Sequence, residues 1–271
     1  AKEGIRTTDS TVATALRTIV VLAGAWGMVF IVGSQAELAH LDARSAGMLV
    51  LSGLATGASW LCYFKALQLG NVSKVVPIDK LSTVLTVLLA LIFLGERVSL
   101  IGVFGVVLIA AGTLLMLDAD DLRGLPRAVR DGGGWLLYAL GSAFFAALTA
   151  ILGKAGITGV ESNLGTAIRT GVVLVMAWVM VAVTGKLREA RAVPRRELGF
   201  VLASGAATCA SWLCYYRALQ DGPASVVVPI DKLSVLVTVL FSALILREVV
   251  SRRYLVGLTL LVGGTLVMLI H

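Results

Sequence analysis

The stretch SWLCYFKALQLGNVSKVVPIDKLS at residues 59–82 returns as SWLCYYRALQDGPASVVVPIDKLS at residues 211–234. The offset is 152 residues, and it also pairs Lys2 with Lys154, Arg17 with Arg169, Trp26 with Trp178 and Glu96 with Glu248, without a gap. Residues 1–119 therefore map onto 153–271. Self-similarity on this scale is a duplication, and it sets the plan of the whole chain before any local feature is read.

The solvent of that plan follows from composition. Of 271 residues, 58% are hydrophobic and only 14% are charged, where a soluble domain is nearer a quarter charged. About 20 apolar residues span a bilayer as a helix, and such windows recur along nearly the whole length. The fold class is thus an all-α polytopic membrane protein. The net charge of +7 is no nucleic-acid signal, because the basic residues sit in short connections between apolar runs. Cys62, Cys209 and Cys214 form no CxxC pair and read as buried free thiols. His40 and His271 offer no metal-ligand spacing, and no cofactor is expected.

Nine spans follow. In the first copy they are A at 11–33, B at 47–69, C at 75–95 and D at 100–117. A lone span, GWLLYALGSAFFAALTAIL, covers 134–152. A′ at 164–185, B′ at 198–219, C′ at 227–246 and D′ at 254–270 complete the second copy. Between Lys2 and Lys154 the chain crosses five times, and an odd number puts matching points on opposite membrane faces. The copies are expected to be inverted repeats about an axis in the membrane plane, the arrangement of secondary transporters. A duplicated scaffold that transports nothing is the alternative. A counterpart of the lone span would precede residue 1, so the first copy is expected to lack its first helix.

Orientation follows from lysines and arginines. One side collects Lys2, Arg6, Lys74, Arg123, Arg127, Arg130, Lys186, Arg188, Arg191, Arg195, Arg196, Arg247, Arg252 and Arg253. The other holds Arg44, Arg97 and Lys154. The first side is predicted cytoplasmic, which puts the carboxyl terminus outside.

Ionisable residues within spans are expensive and default to functional candidates. Pro77 and Pro229 read as helix-opening prolines, whose missing N–H costs nothing in a first turn. Asp79 and Asp231 would then lie in that turn, where the helix dipole favours a carboxylate; Lys80 and Lys232 follow them. Asp79, Ser82, Thr83 and Thr86 recur at helical spacing, repeated by Asp231, Ser234, Thr238 and Ser242. Span B matches with Ser52, Thr56, Ser59 and Tyr63, and B′ with Ser204, Thr208, Ser211 and Tyr215. Facing each other, these stripes would line an aqueous path; helix packing is the competing explanation, and Gly53 and Gly57 fit it. Trp60 and Trp212 divide between cavity and interfacial belt. Arg17 and Arg169 lie about two turns inside A and A′, where they either neutralise the carboxylates, as in a purely structural pair such as Arg17 with Asp79, or serve an anionic substrate. Together these cations outnumber the nearby acids, which weakly favours an anionic substrate. Glu96 and Glu248 end C and C′ and read as interfacial carboxylates paired with Arg97 or Arg247. No nucleophile triad, HExxH or phosphate loop is present, so an enzyme is not expected.

These residues resemble a known family. FLGERVSLIGVFGVVLIAAGTLLML at 93–117 is similar to the end of an EamA domain, a helix, a Gly-Glu turn and a glycine-dotted last helix. The block at 59–82 resembles the centre of small five-helix EamA-type proteins. The resemblance covers nearly the whole chain and implies the drug/metabolite transporter superfamily, whose ten-helix members are two inverted five-helix repeats. It assigns 1–119 to a first repeat lacking its first helix, 120–133 to a basic cytoplasmic connection and 134–271 to a second repeat. By motif match it implies that Trp60, Tyr63, Pro77, Asp79, Trp212, Tyr215, Pro229 and Asp231 line a cavity. Two departures stand out: the absent first helix, and an outward carboxyl terminus where ten-helix members usually keep both ends inside. The membrane glutamate of the small multidrug-resistance relatives has no counterpart in 134–152.

The expected function is a secondary transporter moving a small polar metabolite across a prokaryotic cytoplasmic membrane by alternating access. Its partners would be the lipid bilayer, the metabolite, and a homodimer mate or other membrane protein, but not nucleic acid. A non-transporting membrane subunit packed against a larger complex is the alternative.

Overall fold

The computed structural model describes residues 8–69, 75, 78, 79, 81–116, 134–244 and 251–269. Every regular element among them is helical: α1 Ser10–Val32, a 3-10 turn Ser34–His40, α2 Ala43–Leu69, α3 Ser82–Phe93, α4 Leu100–Leu115, α5 Gly134–Gly156, α6 Ser162–Val183, the short α7 Leu187–Arg191, α8 Arg195–Asp221, α9 Ala224–Lys232, α10 Ser234–Leu244 and α11 Arg252–Leu269. Among the described residues, seven helical stretches are long and apolar enough to cross a membrane, with Ala224–Phe241 counted as one across the α9–α10 break. The helices α3 and α4 are apolar but shorter. Leu100, Val183 and Ile31 are 90%, 82% and 78% exposed, as expected where lipid rather than water is the surrounding solvent.

The chain forms two compact units, and neither is one sequence copy. Unit 1 is Ala1–Gly57 with Leu152–Asp221; unit 2 is Ala58–Ile151 with Gly222–His271. Each unit is built by packing helices of one copy on helices of the other.

In unit 1, α1 and α6, the first helices of the two copies, run antiparallel. Ala25 and Val29 near the end of α1 share a buried cluster with Val160, Leu164 and Ala167 at the start of α6. The polar ends agree. Asp9 caps α1 through the Thr11 N–H and receives the Lys186 ammonium from beyond α6, at 2.6 Å. At the repeat-equivalent position Glu161 caps α6 through the Asn163 and Leu164 N–H groups and accepts from Ser34 Oγ beyond α1, at 3.0 Å. Gly33, with φ of 81°, supplies the left-handed residue that ends α1. Small residues then let the copies approach. A Cβ on Gly53 of α2 would lie 2.8 Å from the Arg169 carbonyl of α6, and one on Gly205 of α8 would lie 3.1 Å from the Arg17 carbonyl of α1. The two contacts are the same contact under the 152-residue shift. Gly53 and Gly57 therefore serve close packing.

In unit 2 the last helices of the copies, α4 and α11, cross through four glycines. A Cβ on Gly105 would meet the Gly264 carbonyl at 2.7 Å, and one on Gly264 the Gly105 carbonyl at 2.6 Å. Likewise Gly112 would meet the Gly257 carbonyl at 2.5 Å, and Gly257 the Gly112 carbonyl at 2.6 Å. Because 105 faces 264 and 112 faces 257, this pair too is antiparallel.

Unit 2 also corrects the reading of the proline motif. Pro229 does not open a helix: it lies inside α9, which starts at Ala224 after Pro223. The reason is a cap that the linear motif hides. Both oxygens of Glu96 accept from the Ala224 and Ser225 N–H groups, at 2.7 and 2.9 Å. Glu96 therefore completes a helix start rather than an ion pair with Arg97. Pro229 removes one intrahelical bond, and α9 ends three residues later at Lys232, capped by Leu233, whose N–H bonds the Ile230 carbonyl. The first copy repeats this turn with Leu81 N–H to the Ile78 carbonyl. Asp231 accordingly sits in the last turn of α9, not the first, so the dipole opposes its charge instead of supporting it. Pro77, Lys80 and Glu248, and the side chains of Thr238 and Ser242, lie outside the described residues.

Candidate functional site

Among the described residues the most heavily buried charge belongs to unit 1. Arg169 projects from α6 and is 1% exposed. From α2, Ser52 Oγ accepts from its Nε at 3.3 Å and Thr56 Oγ1 from its Nη2 at 2.8 Å. From α8, Trp212 and Tyr216 bring ring centroids to 5.1 and 4.5 Å from its Cζ. Ser52 and Thr56 lie one turn apart on α2, and Trp212 and Tyr216 one turn apart on α8, so each helix offers two adjacent rungs to one guanidinium. Cation–π contacts of this kind contribute about 2 kcal/mol when desolvated, less than the cost of an isolated charge at mid-membrane. Among the described residues no carboxylate lies within ion-pair distance of Arg169, and its Nη1 has no partner. Arg17, its copy, is only half-buried, and no such cage surrounds it among the described residues.

Unit 2 holds both aspartates of the repeated motif. Asp79 Oδ1 accepts from Ser142 Oγ of α5 at 2.8 Å, while Ser59 Oγ of α2 donates to the Ser142 carbonyl at 3.0 Å. Tyr63 packs half-buried against the apolar cluster of Ala66, Val75, Ile78, Leu136 and Ala139. The repeat-equivalent Asp231 has 38% of its side chain exposed and a Lys232 Nζ at 3.8 Å. The two aspartates thus have unlike surroundings although their motifs are identical.

The remaining candidates divide by placement. Ser82, Thr83 and Thr86 are buried on α3, and the Thr86 hydroxyl returns to the Ser82 carbonyl. Trp60 is half-buried, and Tyr215 stacks edge-on against Tyr216 at 5.1 Å. Cys209 is buried, but Cys214 is exposed, because it lies on the outer face of α8. Ser142, Tyr216 and the capping role of Glu96 are absent from the sequence expectations. Ser142 was legible as a hydroxyl in the middle of the lone span. Tyr216 stands one residue past the motif tyrosine and replaces Phe64 of the first copy, which was its only mark.

At the helix ends of unit 1 an open pocket of about 480 Å³ is lined by Glu37, His40, Asp42, Glu161, Arg217 and Asp221, among others. Arg217 is tied to Asp221 at 2.8 Å. Burial opposes ionisation of Glu161, but the Asn163 and Leu164 N–H groups and the Ser34 and Ser162 hydroxyls outweigh it and hold its carboxyl below the usual range. For Asp9, burial is likewise outweighed by Lys186 and the Thr11 N–H. Asp42, fully solvated, is lowered by the Ser45 N–H and hydroxyl.

Apolar spanning helices, repeat-matched interfaces and charges kept within them define a polytopic helical membrane protein. Comparison with known proteins narrows the class. Residues 1–118 and again 133–270 match the EamA-like transporter family, and the chain belongs to that family. A curated Sinorhizobium protein, described as an uncharacterized transporter in the cobO 3′ region, is 40% identical over 134 residues, which are 49% of this chain and 95% of that protein. One solved crystal structure superposes with a TM-score of 0.73 at 17% identity, covering 99% of this chain and 91% of the other; that likeness concerns the fold alone. Family and relative together make the protein a membrane transporter.

Proposed function

We propose that the protein is a secondary transporter that moves a small polar metabolite by alternating access between two inverted EamA repeats. The observation that carries this reading is reciprocity. Gly53 against the Arg169 carbonyl is answered by Gly205 against the Arg17 carbonyl, and Gly105 against Gly264 by Gly257 against Gly112. Matching helices that run antiparallel and trade equivalent contacts allow two arrangements of nearly equal energy, which is what alternating access needs. Arg169, with Ser52, Thr56, Trp212 and Tyr216, holds the substrate's polar group. Asp79 and Asp231 bind substrate or a coupling proton. Trp60, Tyr63, Tyr215, Thr83, Thr86, Lys232 and Arg17 are the proposed lining of the path. The cytoplasmic membrane of a prokaryote, with the carboxyl terminus outside, is the proposed setting.

Reconstituted vesicles test the assignment. Asp79→Asn with Asp231→Asn is expected to abolish uptake from a metabolite mixture while leaving the helical circular dichroism and melting curve near wild type. Undiminished uptake by the folded double variant would remove the aspartates from the mechanism.

A second reading, a non-transporting subunit of a larger membrane complex, draws on one face of α8. Ser59 and Ala66 of α2 are buried where α5 covers them, whereas the equivalent Ser211 and Ala218 on α8 are exposed. Stoichiometric co-purification with other membrane proteins, together with no uptake of any metabolite, would favour it.

A further inference from the structure

We infer that the Arg169 cage is the recognition site for an anionic group, a carboxylate or phosphate, and that the transported solute is a small organic anion. That it is cargo rests on the transport reading above; that it binds does not. Among the described residues, only two buried side-chain polar atoms lack a hydrogen-bond partner, Arg169 Nη1 and Thr170 Oγ1. They belong to consecutive residues of one helix, so the polar deficit of the structure is concentrated at one place.

The arrangement around that place is selective. Ser52 accepts the Nε N–H and Thr56 one N–H of Nη2, and Trp212 and Tyr216 occupy positions over the guanidinium. Nη1 remains, with two N–H donors and no acceptor. A guanidinium left with spare donors in a dry interior is a strong acceptor-seeking group, and a charged oxygen satisfies it about twice as well as a neutral one. Thr170 reinforces the point by comparison with its own copy. The Thr18 hydroxyl bonds the Thr14 carbonyl one turn back at 2.8 Å, the ordinary use of a threonine in a membrane helix. Thr170 makes no such bond, although Thr166, the counterpart of Thr14, stands one turn behind it. A hydroxyl and a guanidinium edge are therefore both kept in reserve in the second copy.

Purified protein in detergent provides the test, read as thermal unfolding and as Kd. The probes are inorganic phosphate and succinate, with sodium chloride and choline chloride as ionic-strength controls. Stabilisation by phosphate or succinate beyond the chloride salts is expected, with a Kd raised at least tenfold by Arg169→Gln and unchanged by Lys65→Gln, an exposed cation. No stabilisation up to about 100 mM, enough to fill a millimolar site, overturns the inference, as does equal affinity in Arg169→Gln. Should Arg169→Gln fail to fold, Thr56→Val and Ser52→Ala keep the charge but release its clamp; affinity unaltered in both would also overturn it. A lipid source is separated by adding phosphatidylglycerol or phosphatidylcholine to delipidated protein: saturation by phosphatidylglycerol, with no competition from phosphate or succinate, overturns the soluble cargo. Anion binding without vesicle uptake refutes transport and spares the site. Uptake of neutral or cationic solutes, indifferent to Arg169→Gln, refutes the anion and spares transport.

Discussion

At the scale of single residues, the first helix of each copy depends on an acid that performs two tasks. Asp9 caps α1 and holds Lys186; Glu161 caps α6 and holds Ser34. Asp9→Ala should cost about 1 kcal/mol as a lost cap, read as a lower melting temperature in detergent. The same groups set a pH dependence. Their folded values lie below the ordinary 3.8 for aspartate and 4.5 for glutamate, so the native state releases these protons more readily than the unfolded chain. Their stabilisation is complete above those ordinary values and disappears as pH falls through the lowered ones. Melting temperature is therefore expected to be level from neutrality to about pH 5 and to drop below about pH 4. Asp9→Asn with Glu161→Gln should flatten that drop; an unchanged acid limb would assign it elsewhere.

Helices supply the next scale. The α4–α11 crossing leaves no room for a methyl group: a Cβ at Gly112 would lie 2.5 Å from one backbone carbonyl and 2.7 Å from a backbone nitrogen. Gly112→Ala and Gly257→Ala should each destabilise by about 1–3 kcal/mol through overpacking. Because both press on the same backbone, the double variant should cost less than the sum. Additive losses in a melting series would show that the two positions do not share one contact. Glu96→Gln tests the cap of α9: the amide keeps one acceptor but loses the charge, and amide hydrogen exchange at Ala224 and Ser225 should accelerate. Were exchange there unaltered while residues elsewhere loosened, the carboxylate would not be holding the helix start.

For the whole molecule, orientation is the open quantity with a direct measurement. A single cysteine placed after Ile270, in a background lacking Cys62, Cys209 and Cys214, should react with an impermeant maleimide from outside intact cells. Reaction only after permeabilisation would reverse the orientation drawn from the lysine and arginine bias. The partition of the chain matters equally at this scale. Copies defined by sequence run 1–119 and 153–271, while compact units take pieces of both. A first helix finds its packing partners in the other copy, so the duplicate halves are interleaved rather than laid side by side.

The sequence by itself determined the duplication and the apolar, helical character of the chain, because a 152-residue offset and the hydropathy of 20-residue windows are properties of residue type and spacing alone; it did not show the break at Leu233 that divides the span read at 227–246 into α9 and α10. It also singled out Arg169, since a charge inside an apolar run is visible without coordinates. Only tertiary structure decided that Ser52 and Thr56 turn to Arg169, that Glu96 caps the start of α9 and leaves Pro229 inside it, and that the glycines at 105, 112, 257 and 264 face one another. Those are contacts between residues far apart in the chain. Even identical VVPIDKLS motifs diverge for this reason: Asp79 meets Ser142 of α5, whereas Asp231 is half exposed beside its own Lys232. Local sequence fixes what a side chain is able to do, and packing chooses which neighbour it does it with.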